Sequence, residues 1–176
     1  LFGVSLWILL LMLAGSRYEI SQAELVGAAR VTAQQLNSRL SVAGRNAFRL
    51  DPAWLASGIG ALPSVKNAEV KLRLPNVLVL HLEERQPVAV WRAAQGEYLV
   101  DVEGVVIGER QGEEGLPVVL YRDTEALVGG ERIDAGAVGA ALRLLEALPA
   151  AGLHGCSISY SWGEGVAAEH ESGWRA

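Results

Sequence analysis

From Ala68 to Leu74 the apolar residues Ala68, Val70, Leu72 and Leu74 alternate with Glu69, Lys71 and Arg73. A period of two predicts a strand with one face buried and one face in water. Pro75-Asn76 is a turn signal. Beyond it Leu78, Leu80 and Leu82 alternate with Val79, His81 and Glu83, which predicts a second strand. Two such runs around so short a turn predict an antiparallel hairpin. Upstream, Ile20 to Val26 predicts a short strand closed by Gly27. Thr32 with Gln35 three residues on is a capping box, predicting a helix from Ala33 to about Leu40, and Gly44 ends that segment. Asp51-Pro52 starts another helix, with Asp as N-cap and Pro at its first position. Trp54, Leu55, Ile59 and Leu62 give that helix an apolar face, and Pro63 follows it. The order is strand, helix, helix, strand, strand. It predicts a two-layer unit in which two helices cover one face of a sheet.

After Pro87 the pattern changes to short strands with Gly turns: Val88 to Ala93, Tyr98 to Asp101 and Val105 to Ile107 predict a meander of hairpins. Leu116 to Tyr121 is a further strand. Asp134 caps a predicted helix from Ala135 to Leu148, with Val138, Ala141, Leu142, Leu145 and Leu148 at helical spacing. Cys156 to Tyr160 and Val166 to Glu169 are short strands, and His170 to Ala176 reads as a turn feeding a new strand at Trp174. A boundary between two units falls at about Glu84 to Pro87, where Pro87 lacks an N–H and biases Gln86 to extended geometry.

The two ends change the picture. Leu1 to Gly15 carries no charge, and the first charged residue is Arg17. As a helix this run covers roughly 24 Å, a little short of the ~30 Å hydrocarbon core. It predicts the later part of a membrane helix that begins before Leu1; a secretory h-region ending near Ala14-Gly15-Ser16 is the rival reading. A buried core helix fits less well, since the run is apolar on every face. The loop before Leu1 is absent, so charge asymmetry gives no orientation.

Composition then narrows the function classes. The chain has 176 residues, 51% of them hydrophobic, which excludes disorder. A net charge of −5 and a pI near 5.2 argue against nucleic acid as a partner. A single Cys rules out an intramolecular disulfide framework, and neither CxxC nor a Cys/His cluster offers a zinc site. There is no GxSxG, P-loop, GxGxxG or HExxH. His81, His154 and His170 are scattered, and Ser157, Ser159 and Ser161 read as the polar face of a strand. Asp101 with Glu103, and Cys156 with His154, are the polar pairs an enzyme would need; turn chemistry and burial explain them as well. A protein that works by its surface is the better reading. Val77 to Glu84 is a candidate edge strand for strand addition by a partner, although alternation alone does not say which strand lies outermost, and Lys71 and Arg73 on its neighbour suit an acidic partner.

Three segments carry a family resemblance: Leu62-Pro-Ser-Val-Lys-Asn-Ala-Glu-Val70, Leu80-His-Leu-Glu-Glu-Arg-Gln-Pro-Val-Ala-Val-Trp91 and Tyr98-Leu-Val-Asp-Val-Glu-Gly-Val105. With Leu74-Pro75 between the first two, they resemble the bacterial FtsQ/DivIB cell-division family. The resemblance implies an α+β chain: a transmembrane anchor over 1–17, a POTRA domain (β-α-α-β-β) over 18–85, and an incomplete FtsQ-type mixed β-domain with one helix over 86–176. It also implies a single-pass protein of the plasma (inner) membrane, at the division site, with its N-terminus cytoplasmic and its bulk extracytoplasmic. The implied role is non-catalytic, with no cofactor: a divisome scaffold that binds FtsB/DivIC- and FtsL-type partners and other divisome components, and helps coordinate septal peptidoglycan synthesis. Val70 and Leu72 match the stretch tied to recruitment in the family. Together with Arg73 they form the expected partner-binding set, and Glu84, Arg85 and Pro87 form the motif at the joint between domains.

Overall fold

A computed structural model describes residues 3–5, 7, 16–32, 36, 42–170 and 172–175. Most of the expected membrane anchor lies outside these residues, as does the expected helix from Ala33 to Leu40 apart from Leu36. No helix among the described residues is long and apolar enough to cross a membrane. The chain divides into two compact units, Leu1–Glu84 and Arg85–Ala176.

The first unit holds β1 (Gln22–Val26), α1 (Pro52–Gly60), β2 (Val65–Arg73) and β3 (Val77–Glu84). Its sheet order is β1-β3-β2, with β1 parallel and β2 antiparallel to β3. The candidate edge strand Val77–Glu84 is therefore central, because β3 pairs with β1 on one side and with β2 on the other. Even-numbered positions of β3 face the core: Leu78, Leu80 and Leu82 are buried with Val70 of β2, Leu55 and Ile59 of α1, and Leu36. A bulge between Val65 and Asn67 inserts one residue into β2 and brings Val65 onto that same buried face. Asp51 caps α1 by accepting from the N–H groups of Ala53 at 2.9 Å and Trp54 at 3.3 Å. Trp54 itself departs from the expected apolar face and is 57% exposed. Leu74, the last residue of the alternating run, lies beyond β2 in the turn and is also exposed.

The second unit holds β4 (Pro87–Ala93), β5 (Gly96–Asp101), β6 (Val106–Glu109), β7 (Val118–Tyr121), α2 (Ala135–Ala150), β8 (Cys156–Ser161) and β9 (Gly165–His170). They form one sheet in the order β6-β5-β4-β7-β8-β9. The first three strands make the expected meander; β7 then pairs parallel with both β4 and β8. Parallel neighbours need a crossover, and α2 supplies it between β7 and β8. Small residues open the face of α2, so Ala137, Val138 and Ala141 pack closely on Trp91, Tyr121, Ile158 and Tyr160. Trp91 is fully buried at the centre, edge-on to Tyr160 with ring centroids 6.4 Å apart. Its indole N–H has no hydrogen-bond partner among the described residues, so Trp91 contributes by packing. The strand expected at Trp174 is present as one bridge between Arg175 and Glu169 of β9.

Two glycines are dictated by geometry. Gly27, which ends β1, has φ +83°, and a Cβ there would stand 2.3 Å from the Leu82 carbonyl oxygen. Gly104, in the turn between β5 and β6, has φ +81°, and a Cβ would stand 2.1 Å from the Ile133 carbonyl oxygen. Both neighbours are backbone atoms and have little room to retreat. Gly104→Ala is expected to cost about 3 kcal/mol of stability, from the left-handed backbone and the clash together, read as a lower midpoint of denaturant unfolding.

Candidate interaction surfaces and the charged motif between strands

β2 is an edge strand, and among the described residues no strand pairs with its outer side. Its nine residues leave a row of backbone groups open to a partner. The expected partner-binding residues fall on this strand in different settings. Val70 is 8% exposed and belongs to the core. Leu72 is half-buried against the same core. Both therefore offer a partner mainly their main chain. Arg73 projects from the opposite, polar face and pairs with Glu24 of β1 across the central strand. Lys71 pairs with Glu69 at 3.0 Å on that face. These pairs are exposed, and each contributes at most about 1 kcal/mol.

The joint motif is internally engaged on both sides. Glu84 ends β3 and is only 7% exposed. Its carboxylate accepts from the N–H groups of Ala29 at 2.9 Å, Arg30 at 2.9 and 3.0 Å, and Val31 at 2.8 Å. It thereby satisfies the turn that leaves β1 after Gly27. Arg85 opens the second unit, and its Nη1 donates to Asp101 Oδ2 at 2.5 Å and to Glu103 Oε2 at 2.9 Å. Burial opposes the Arg85 charge, but the hydrogen bonds and charges of Glu103 and Asp101 outweigh it and raise the guanidinium above its ordinary range. Asp101 Oδ1 in turn accepts from the N–H groups of Glu103 at 2.9 Å and Val105 at 2.8 Å, closing the β5–β6 turn. Pro87 begins β4 and pairs with Asp101. The Asp101–Glu103 pair is thus a structural clamp on Arg85. The buried position of Asp101 was not legible in a turn rich in acidic residues; the Arg sixteen positions earlier was the available signal.

The remaining polar groups gather little chemistry. Cys156 and His154 line a cavity of about 130 Å³ with Leu145, Leu148 and Leu153, but no hydrogen bond links the two side chains. His170 Nε2 donates to the His154 carbonyl at 3.0 Å, and its ring stacks on Trp174. His81 lies on the polar face of β3. Ser159 departs from the polar-face reading: it is 1% exposed and its hydroxyl donates to Glu169 Oε1 at 3.2 Å. A shallow polar depression of about 370 Å³ is lined by Gln95, Glu97, Glu109, Arg110 and Glu114. There the hydrogen bonds from Arg92 and Arg110 hold the Glu97 carboxyl below the usual carboxylate range. Among the described residues no group of three His, Cys, Asp or Glu side chains is placed to hold a metal ion.

Comparison with known proteins adds an independent line. Residues 19–85 match the "POTRA domain, FtsQ-type" family. The cell division protein FtsQ of Chloroflexus aurantiacus is 29% identical over 169 residues, spanning 94% of this chain and 62% of that protein. FtsQ of Corynebacterium glutamicum is 32% identical over 111 residues, 61% of this chain and 47% of that protein. FtsQ of Ketogulonicigenium vulgare is 38% identical over 84 residues, 46% of this chain and 28% of that protein. The chain thus spans about three fifths of the length of the Chloroflexus relative.

Substitutions at Glu84, Arg85 and Asp101 test the charged motif. Glu84→Ala removes the acceptor of three N–H groups, the one at Val31 buried, and is expected to cost about 2–3 kcal/mol, whereas Glu84→Gln keeps one acceptor oxygen and costs less, both read by urea unfolding. Arg85→Met strands the Asp101 carboxylate in a buried site and is expected to cost about 3–5 kcal/mol, with the Arg85→Met/Asp101→Asn double variant recovering part of that loss.

Proposed function

We propose, from the premise that this chain belongs to the FtsQ/DivIB family of cell-division proteins, that it acts as a non-catalytic divisome scaffold. The observation that carries the reading is the open β2 edge of the FtsQ-type POTRA unit. A partner strand added there gains main-chain hydrogen bonds from β2, and reads Lys71 and Arg73 on one face beside Leu72 on the other. Val70, Leu72 and Arg73 are accordingly the recruitment residues of this reading. The partners are FtsB/DivIC- and FtsL-type proteins and other divisome components, and the output is coordination of septal peptidoglycan synthesis.

The apolar segment before Arg17 is the single membrane anchor in this reading. It leaves the N-terminus cytoplasmic and both units outside the plasma membrane. Val4 and Trp7, each 64% exposed and in helical conformation, support it, because large apolar side chains so placed call for a non-aqueous surrounding. The acidic pI supports the exclusion of nucleic acid.

A fluorescent protein fused to the N-terminus of the complete gene product tests the proposal in dividing cells of the source bacterium or a close relative. The expected result is a band at the division site, filamentation on depletion, and loss of most of the band on Arg73→Glu with folding stability changed by no more than about 1 kcal/mol. A uniform membrane signal with normal division would refute the scaffold role.

A further inference from the structure

We propose that the end of the first unit nearest the apolar segment is a membrane-seating collar that engages anionic phospholipid headgroups. The inference rests on the reading of residues 1–15 as a membrane anchor. Tyr18 follows Gly15 by three residues, so it lies within about 11 Å of the end of that segment even when the chain is fully extended. The fold gathers two other segments beside it. Ile20 N–H donates to the Arg45 carbonyl at 2.9 Å, and Gly44 N–H donates to the Ile20 carbonyl at 3.0 Å. Ser21 N–H donates to the Asn76 carbonyl at 3.1 Å, and the Asn76 amide donates to Ser21 Oγ at 2.8 Å. The loop around 45–49 and the β2–β3 turn therefore share one end of the unit with residues 17–21.

What these segments expose suits an interface. Phe48 is 40% exposed and packs edge-on against Tyr18, with ring centroids 5.1 Å apart. Leu74, in the β2–β3 turn, is 55% exposed. Arg17, Arg45 and Arg49 are exposed on the same segments, and none has an ion pair among the described residues. The acidic side chains there are Glu19 and Asp51, and the Asp51 carboxylate is occupied by the N–H groups that cap α1. Aromatic and aliphatic groups bordered by Arg are the composition that settles at the headgroup level, with the apolar parts toward the acyl chains and the guanidinium groups on phosphates. In water these apolar groups have no cover; at a bilayer they do. The collar would fix the height of the first unit above the membrane and hence the height at which its β2 edge is offered.

The test uses the full chain carrying Cys156→Ser, reconstituted in vesicles of phosphatidylethanolamine and phosphatidylglycerol, with a fluorophore on Ala43→Cys or, as the reference, on Asn67→Cys. Both positions are exposed, and Asn67 lies some 20 Å along β2 from the turn at Leu74. Headgroup-level spin-labelled lipid should quench the label at 43 roughly threefold more than the label at 67, and Arg45→Glu/Arg49→Glu or about 0.5 M NaCl should remove at least half of that difference. The salt arm needs no substitution, and circular dichroism checks the folding of the variant. Extraction of the chain by alkaline carbonate would overturn the anchor reading and the collar with it. Retention in the membrane with equal quenching at 43 and 67 would overturn the collar alone. Unequal quenching that is indifferent to charge reversal, to salt and to replacement of the anionic lipid by phosphatidylcholine would overturn the headgroup assignment.

Discussion

The turn that leaves β1 directs three backbone N–H groups, those of residues 29, 30 and 31, at the carboxylate of Glu84. A buried N–H left without an acceptor is costly, as that of Val31 would be, and here the acceptor comes from the far end of the unit in sequence. The contact therefore forms only when β3 has taken its place between β1 and β2. Parallel pairing of β1 with β3 aligns Val26 with His81, three residues before Glu84, so the register that buries Leu78, Leu80 and Leu82 also delivers the carboxylate to the turn. Gly27 is part of the same constraint, since its φ of +83° lets the chain pass close to the Leu82 carbonyl on the way to that turn. One side chain thus ties together strand register, the close approach at Gly27 and the entry to the segment that follows.

The next residue applies the same logic in the second unit. Arg85 lies over the β5–β6 turn and is held by Asp101 and Glu103, while Asp101 also gathers the N–H groups of that turn. A carboxylate so deeply buried is tolerable because a guanidinium and two backbone donors surround it. The succession of an acidic and a basic residue before Pro87 is therefore not a solvated charge pair. Each charge is used within its own unit, and Pro87 can then begin β4 without forfeiting a needed donor.

Much of this architecture is legible in the sequence, for reasons that differ by element. Alternation along 68–74 and 78–82, the Asp51-Pro52 start and the spacing of Val138, Ala141 and Leu145 are local signals, and the strands and helices fall where those signals lie. Strand order is not local. A hairpin read from alternation is the same whether β2 or β3 lies outermost, and only the pairing of β1 decides it. Burial on the second face is also non-local: Ser159 looks polar in its strand, yet it is covered because Glu169 on β9 supplies its partner. Likewise Trp54 has helical spacing with the core residues but falls outside the stripe that Leu55 and Ile59 bury.

Which strand forms the edge bears on function. Had β3 been outermost, its alternating leucines would have presented a partner with a strand whose own side chains complete the core. With β2 outermost, the open strand carries Lys66, Glu69, Lys71 and Arg73. Charged side chains on an edge are a known defence against indiscriminate strand pairing. Here each is met by a nearby opposite charge in a weak, water-exposed pair: Lys66 with Glu83, Lys71 with Glu69, Arg73 with Glu24. Such pairs cost little to exchange. A strand bearing carboxylates opposite Lys71 and Arg73 would replace them at small expense and gain the main-chain bonds, while an uncharged or basic strand would forfeit the pairs without substitutes. Charges that guard the edge against indiscriminate pairing would in this way also favour a strand of complementary charge.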